Sequence, residues 1–270
     1  MQGPYPIFCR GHSGGRILCE AYMRNGIQMG VVTDKQKDTP FFAVEKNPVM
    51  REIILHAYDY LNAEAALQSR LQELMRQTVR QFRETEIRGE GPFGWKNGHN
   101  IFALPVLLDA LPTAKIVHLI RDGRDVMLSR LNIRIERLDD PVNRLMVFGD
   151  ANTDSFEGRR LSSKTVKNFR NELEMRHWVT SVEYGLAGRK YEGRYLEIRY
   201  EQLCTAPVEV MQKIFDFIAV PFLEETKEWV RQAASTSRID KWKTQPPEAL
   251  AMPLAIGGDL LRLLGYLQSS

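Results

Sequence analysis

Two segments of this chain share one order: a short apolar run, a turn, and then apolar residues at helical spacing. The first run, Tyr5 to Arg10, stops at the glycine-rich turn Gly11 to Gly15. The second, Lys115 to Ile120, leads into the charged turn Arg121 to Asp125. Strands that alternate with helices predict a parallel sheet covered by helices on both faces. Because ligands bind at the carboxyl ends of such strands, we expect both turns to face one crevice.

The remaining sequence is mostly helical in pattern, and its length suits one α/β domain over residues 1–270. Met50 to Arg88 predicts one or two helices within a helical insertion at about residues 45–90. Pro141 to Lys164 is polar, contains two glycines and is predicted to be a mobile loop, within a variable loop at about residues 139–165. One further strand and four further helices are predicted, at Arg194–Tyr200 and at Ile101–Leu111, Val166–Leu186, Val208–Ala219 and Glu224–Ala234.

Composition excludes several classes of protein. With 43% hydrophobic residues, 26% charged residues and a net charge of +3, the chain is too apolar for a disordered protein and too evenly charged for a nonspecific nucleic-acid binder. No apolar run reaches the roughly 18 residues that a membrane span requires. The three cysteines lack metal-ligand spacing, and the first ten residues lack the order of a signal peptide. We therefore expect a cytoplasmic protein without a nucleic-acid partner, a membrane span or a metal site.

The first turn predicts an anion site. Backbone N–H groups at the start of a helix lack partners, the helix dipole adds positive charge, and glycines allow oxygen atoms to approach closely. Ser13 can donate a hydroxyl hydrogen, and His12 and Arg16 can add charge. An ordinary β–α turn would have the same glycines. The Lys and the Mg²⁺-binding Ser/Thr of G-x-x-x-x-G-K-[ST] are absent, which disfavours a P-loop kinase, although that alternative shares the fold.

The second segment is more specific. It resembles the 3′-phosphate-binding segment of sulfotransferases that use 3′-phosphoadenosine 5′-phosphosulfate (PAPS), in which R-D-x-R-D-V follows a strand and a Ser lies on the next helix. The first turn is similar to the 5′-phosphosulfate loop of that family, [KR]-S-G-T-[ST], with His12 at the Lys/Arg position. Three further stretches agree in order: Gly94 to Lys96, Leu196 to Leu203, and Ile239 to Lys243.

The resemblance implies a P-loop NTPase-like sulfotransferase fold and sulfuryl transfer from PAPS to a hydroxyl or amine. The product would be 3′-phosphoadenosine 5′-phosphate (PAP), and no metal ion would be required. The residues that the resemblance and the anion-site chemistry assign to the donor are Arg10, Gly11, His12, Ser13, Gly14, Gly15, Arg16, Arg121, Ser129 and Tyr200.

Three residues are candidates for catalysis: Lys96, His12 and His99. Lys96 would stabilise the transferring group, and His12 could act as a donor or an acid to the leaving group. Many members of the family have a His in K-T-H, whereas here the order is Lys96-Asn97-Gly98-His99, one residue later. His99 is therefore one candidate base, and the carboxylates Asp34 and Glu45 are others.

Two readings compete with the sulfotransferase: a non-catalytic module that binds PAP or another nucleotide, and the P-loop kinase. The acceptor is expected to be a small molecule, a carbohydrate or a lipid. The helix-rich insertion and the variable loop are predicted to wall its pocket. The sequence carries no pattern that fixes an oligomeric state.

Overall fold

A computed structural model describes residues 3–129, 140–149 and 163–268, with side chains from residue 170 onward in the last range. Three parallel strands form one sheet in the order β1 (Ile7–Cys9), β2 (Ile116–Ile120), β3 (Tyr195–Arg199). The predicted α/β class, with its parallel sheet between helices, is confirmed. Buried apolar strands of this kind are typical of parallel sheets covered on both faces.

The helices surround this small sheet. Helix α5 and helix α8 are short, whereas α3 and α7 are the long helices of the described chain. The bounds are α1 Gly15–Arg24, α2 Pro48–Ala57, α3 Ala65–Glu86, α4 Leu104–Ala110, α5 Gly123–Ser129, α6 Pro141–Phe148, α7 Ser163–Leu186, α8 Tyr200–Thr205, α9 Pro207–Ile218, α10 Glu224–Ala233 and α11 Pro247–Leu263.

An additional extended segment, residues 93–96, runs parallel to β1 along its free edge. The N–H of Tyr5 donates to the carbonyl of Phe93 and that of Ile7 to the carbonyl of Trp95, each at 2.9 Å. A Cβ on Gly94 would lie 2.3 Å from the Tyr5 carbonyl oxygen, so this close pairing requires glycine. Lys96, the last residue of this segment, therefore lies beside β1 at the edge of the sheet.

Alternate side chains of β2 enter different parts of the core. Ile116 packs in the cluster formed with α2, α3 and α4, whereas Val117 and Leu119 pack in the cluster formed with α1 and α9. His118 lies between them, with Nδ1 2.6 Å from the Tyr195 hydroxyl oxygen. Burial lowers the pKa of His118 to about 3, so the imidazole is neutral near pH 7. Its role is to pack within the core.

The predicted loop over Pro141 to Lys164 is wrong for its first part. Residues 141–148 form α6, because Asp140 caps the helix by accepting from the N–H of Val142 at 2.8 Å and Pro141 suits its first turn. Residues 150–162 of that predicted loop lie outside the described part of the chain. Over residues 3–129, 140–149 and 163–268, each helix is too short or too polar to cross a bilayer.

Candidate active site

The turn after β1 is shaped by two residues in the left-handed region, His12 (φ 68°) and Gly14 (φ 88°). A Cβ on Gly14 would lie 2.4 Å from the Tyr200 ring, so the turn packs closely on the start of α8. No side chain caps α1, and its first turn carries no acidic residue. The start of α1 therefore keeps a positive dipole end without an acidic side chain, which favours an anion, and among its N–H groups that of Gly15 bonds to Cys9 and that of Ile17 to the Gly14 carbonyl.

Ser13 lies inside this turn and is 1% exposed. Its Oγ is buried and has no hydrogen-bond partner among the described residues. A buried hydroxyl without a partner costs free energy that an incoming acceptor oxygen would recover. This unsatisfied donor, beside an uncapped helix start, fits a phosphate or sulfate oxygen.

The arginines on either side of the turn point to different partners. Arg10 is buried and pairs with Glu174 on α7, with Nη2 and Oε2 2.7 Å apart. Arg16 is exposed, and its Nη1 lies 3.4 Å from the Lys35 carbonyl oxygen. Both remain predicted donor ligands, and each already has an acceptor elsewhere.

Lys96 reaches the turn from the additional edge segment. Its side chain passes over Gly15, where a Cβ would lie 2.8 Å from the Lys96 Cε atom. The ammonium donates to the Gln36 carbonyl at 3.1 Å and forms an ion pair with Asp38. Burial lowers the pKa of Lys96, but Cys9 and Asp38 outweigh that effect, so its pKa is raised and the group is charged at neutral pH.

Asp38 is a functional candidate that sequence analysis missed. Thr39 brings it beside Lys96: the Thr39 N–H donates to the Lys96 carbonyl at 2.7 Å, and its Oγ1 accepts from the Lys96 N–H at 3.1 Å. These bonds join residues 57 apart, so no local pattern could reveal them. The two carboxylates predicted instead, Asp34 and Glu45, are both exposed.

His99 lies in a short 3-10 turn, Gly98–Ala103, which follows the edge segment that ends at Lys96. Its N–H donates to the Asn97 side chain at 3.1 Å. A Cβ on Gly98 would lie 2.9 Å from the Cys9 carbonyl oxygen, so the turn packs directly against the end of β1. The one-residue delay relative to K-T-H thus leaves His99 near the glycine turn, and its catalytic role stays a prediction.

Arg121 joins the two turns. Its Nη1 donates to the His12 carbonyl at 2.9 Å and to Ser129 Oγ at 3.3 Å, and its Nη2 donates to the Arg238 carbonyl. The guanidinium also lies 4.6 Å from the centre of the Tyr200 ring. The structure therefore brings Arg121, Ser129 and Tyr200 together beside the first turn, so the two turns are neighbours at the sheet edge; their common crevice stays a prediction.

The other charges of the second turn hold it in place. Arg124 is 2% exposed, forms a forked pair with Asp122 and stacks 3.5 Å from the Trp242 ring centre. Asp125 accepts from the Trp242 N–H at 3.0 Å and lies 3.5 Å from Arg121. Burial raises the pKa of Asp125, although Trp242 and Arg121 oppose that effect. These contacts fix the turn, and Arg121 is its residue that contacts the first turn.

Comparison with known proteins agrees with this geometry. The model of the Sulfotransferase family matches residues 22–225. Carbohydrate sulfotransferase 3 of Mus musculus is 24% identical over 182 residues, which cover 61% of this chain and 36% of that protein. Carbohydrate sulfotransferase 4 of Mus musculus is 25% identical over 182 residues, covering 61% of this chain and 45% of that protein. The chain thus spans less than half the length of these curated relatives.

Solved structures share the fold. The sulfotransferase domain from the curacin biosynthetic pathway superposes with a TM-score of 0.56 at 16% identity, covering 96% of this chain and 98% of that domain. A mouse sulfotransferase complexed with PAP gives 0.55 at 12% identity, covering 99% and 90%. The fold agrees over nearly all of the chain and the family match spans most of it, so this protein belongs to the Sulfotransferase family.

Proposed function

We propose that the enzyme transfers the sulfuryl group of PAPS to a hydroxyl or amine and releases PAP. The observation that carries this proposal is the buried, unsatisfied Ser13 hydroxyl in an uncapped helix start, with Lys96 on one side and Arg121 on the other. Two anion sites at one sheet edge suit a donor that has phosphates at both ends. The PAP complex of a structural neighbour supports the same donor class.

The first turn and Lys96 would stabilise the leaving end of the donor. As the acceptor bonds to sulfur, the bond from sulfur to the 5′-phosphate oxygen breaks and negative charge grows on that oxygen. N–H donors, the Ser13 hydroxyl and the Lys96 ammonium are fixed before the reaction, so they stabilise that charge without reorganising. Arg121, Ser129 and Tyr200 would hold the 3′-phosphate and the nucleoside.

We propose Asp38 as the general base. Its carboxylate is partly exposed and lies against the Lys96 ammonium, so a proton acceptor stands next to the cation expected at the transferring group. A carboxylate in this position could accept the proton that the acceptor hydroxyl loses. His99 is the competing candidate, in the turn that packs against the end of β1.

The base assignment predicts a clear contrast between two variants. Asp38→Asn should lower kcat by about 100-fold and change PAP affinity little, because it removes a proton acceptor that the product does not need. His99→Ala should lower kcat by no more than about threefold. The measurement is transfer of labelled sulfuryl from PAPS to a panel of sugars and amines. A large loss for His99→Ala with none for Asp38→Asn would assign the base to His99.

For the acceptor, we propose a carbohydrate hydroxyl, with the curated relatives as support. A small alcohol, amine or lipid headgroup is tested in the same panel. The three cysteines are buried and free, which supports the proposal that the protein works in a reducing compartment such as the cytoplasm.

The donor is tested by thermal unfolding and calorimetry with PAP. PAP should raise the unfolding temperature, and ATP with Mg²⁺ should not. Stabilisation by ATP with Mg²⁺ alone would contradict the proposal and favour a kinase. Because His12 stands where the family pattern has Lys or Arg, a second candidate function is a PAP-binding module without catalysis. Such a module would bind PAP but would transfer no sulfuryl group to any acceptor or to water.

A further inference from the structure

Three positions of the glycine turn differ from the family pattern: Arg16 stands at the [ST] position, and His12 and Gly15 differ in complementary ways. Where [KR]-S-G-T-[ST] places a Lys or Arg, this chain has His12, and where it places Thr, this chain has Gly15. His12 is exposed, and its carbonyl is used by Arg121. The turn has therefore lost a fixed cation and a side chain together.

The space left by the missing side chain is filled by Lys96. A Cβ on Gly15 would lie 2.8 Å from Lys96 Cε and 3.5 Å from Cδ, and 2.5 Å from Cys9 Sγ. Real Cβ atoms essentially never approach within 3.0 Å of another atom, so the distances to Cε and Sγ are too short. The Lys96 stem can cross the first turn of α1 only because residue 15 has no side chain.

The ammonium at the end of this stem is fixed but not saturated. An ammonium has three N–H donors, and Gln36 and Asp38 accept two of them. Lys96 is 7% exposed, so most of its side chain is shielded from solvent. By contrast, Arg10 pairs with Glu174 on α7, and Arg16 reaches outward to Lys35.

We propose that Lys96 replaces the missing cation of the glycine turn and that Gly15 is the positioning residue that allows it to do so. This inference rests on the proposed function and extends it. Lys96 would both stabilise the transferring group and supply the positive charge of the glycine turn, so the turn would not need a Lys or Arg at position 12. The third N–H of Lys96 would then donate to an oxygen at the sulfuryl-bearing end of the donor.

The test is a double-mutant cycle on sulfuryl transfer to water, which needs no knowledge of the acceptor. In that reaction the bond from sulfur to the 5′-phosphate oxygen breaks, a bond to water oxygen forms and a proton leaves to solvent, giving PAP and sulfate. Lys96→Met should lower the single-turnover rate by about 100-fold, as loss of one oxyanion donor does. Gly15→Ala should lower it by about 10-fold, and the double variant should match Lys96→Met alone because both changes act through one side chain.

A second pair of variants separates Lys96 from Cys9. In Cys9→Ala/Gly15→Ala, the contact with Sγ is removed but the contact with Lys96 stays, so the rate should remain low. Recovery to the level of Cys9→Ala would show that the thiol causes the effect, and would overturn the proposal. Gly258→Ala is the matched control for a helical glycine, since its Cβ would meet nothing nearer than 3.7 Å.

Restoring a cation provides the third arm. In the Lys96→Met background, His12→Lys should raise the single-turnover rate at least about fivefold. In the wild type, the same substitution should change the rate little. This arm works even if Gly15→Ala does not fold. No recovery, or independent losses from Gly15→Ala and Lys96→Met, would overturn the inference. Failure of the wild type to bind PAP or hydrolyse PAPS would instead overturn the proposed function.

Discussion

The two turns at the sheet edge use charge in opposite ways. The turn Arg121 to Asp125 holds four charged residues, and most of their bonds go to other parts of the protein. The turn Gly11 to Gly15 has no acidic or basic side chain except His12, yet it keeps a buried hydroxyl without a partner and an uncapped helix start. Charge in a motif therefore does not measure its capacity for a ligand; uncommitted donors do.

The two turns are also expected to affect different quantities, PAP affinity and turnover rate. Arg121 already contacts the His12 and Arg238 carbonyls, so a phosphate would join an existing network. In the proposed reaction, the first turn and Lys96 would face the bond that breaks. We expect substitutions in the second turn to act mainly on PAP affinity and those around the first turn to act mainly on turnover.

The largest expected effect on affinity belongs to Arg121. Arg121→Lys keeps the charge but loses the fork that joins two carbonyls and a phosphate, so the Kd for PAP should rise on the order of 100-fold. Calorimetric titration with PAP measures it. Arg189→Ala, which removes an exposed pair with Glu197, is the control and should leave the Kd within about twofold. A normal Kd for Arg121→Lys would remove this residue from the donor site.

Ser13→Ala should have a smaller effect. The Kd for PAP should rise by about 10-fold, while the free energy of unfolding without PAP stays the same or increases slightly, because the hydroxyl has no partner to lose. Thr180→Val is the matched control, because the Thr180 hydroxyl already has partners: it donates to the Val147 and Arg176 carbonyls. That variant should lose about 1 kcal/mol of stability and keep its PAP affinity. The reverse pattern would make Ser13 a structural residue.

Arg16→Ala should have the smallest effect, a rise of about threefold in the Kd for PAP at low salt and less at high salt. Its side chain is exposed and its bond to the Lys35 carbonyl is long, at 3.4 Å. Titrations at two salt concentrations measure the change. An effect as large as that of Arg121→Lys would break the contrast between the two turns, because an exposed arginine would then dominate the donor site.

Local patterns were sufficient for the scaffold. The strand leading to Cys9 and the strand leading to Ile120 are apolar runs that end at turns, and the structure has strands at both places. The long stretch from Met50 to Arg88 contains most of α2 and all of α3, as its repeating apolar faces indicate. Helix α6 was missed because the loop prediction relied on the polar residues and two glycines of Pro141 to Lys164 and did not consider Asp140 as a helix cap.

The chemistry near Lys96 could not be predicted in the same way. The Asp38–Lys96 pair depends on two hydrogen bonds of Thr39 to a segment 57 residues away. The path of Lys96 depends on an absent side chain, Gly15, which a sequence shows only as one more glycine. Both are consequences of packing between distant segments, whereas motif analysis uses neighbours along the chain.

The separation of the contacting residues has a consequence for how activity appears during synthesis. Arg121 bonds to His12 across 109 positions and to Arg238 across 117, and Arg124 bonds to the Tyr266 carbonyl across 142. Each of these contacts closes a long loop of chain, and it can form only after both partners have been synthesised. A ribosome-bound chain that lacks Tyr266 would have both turns but no finished donor pocket, so nucleotide binding would report completion of the fold.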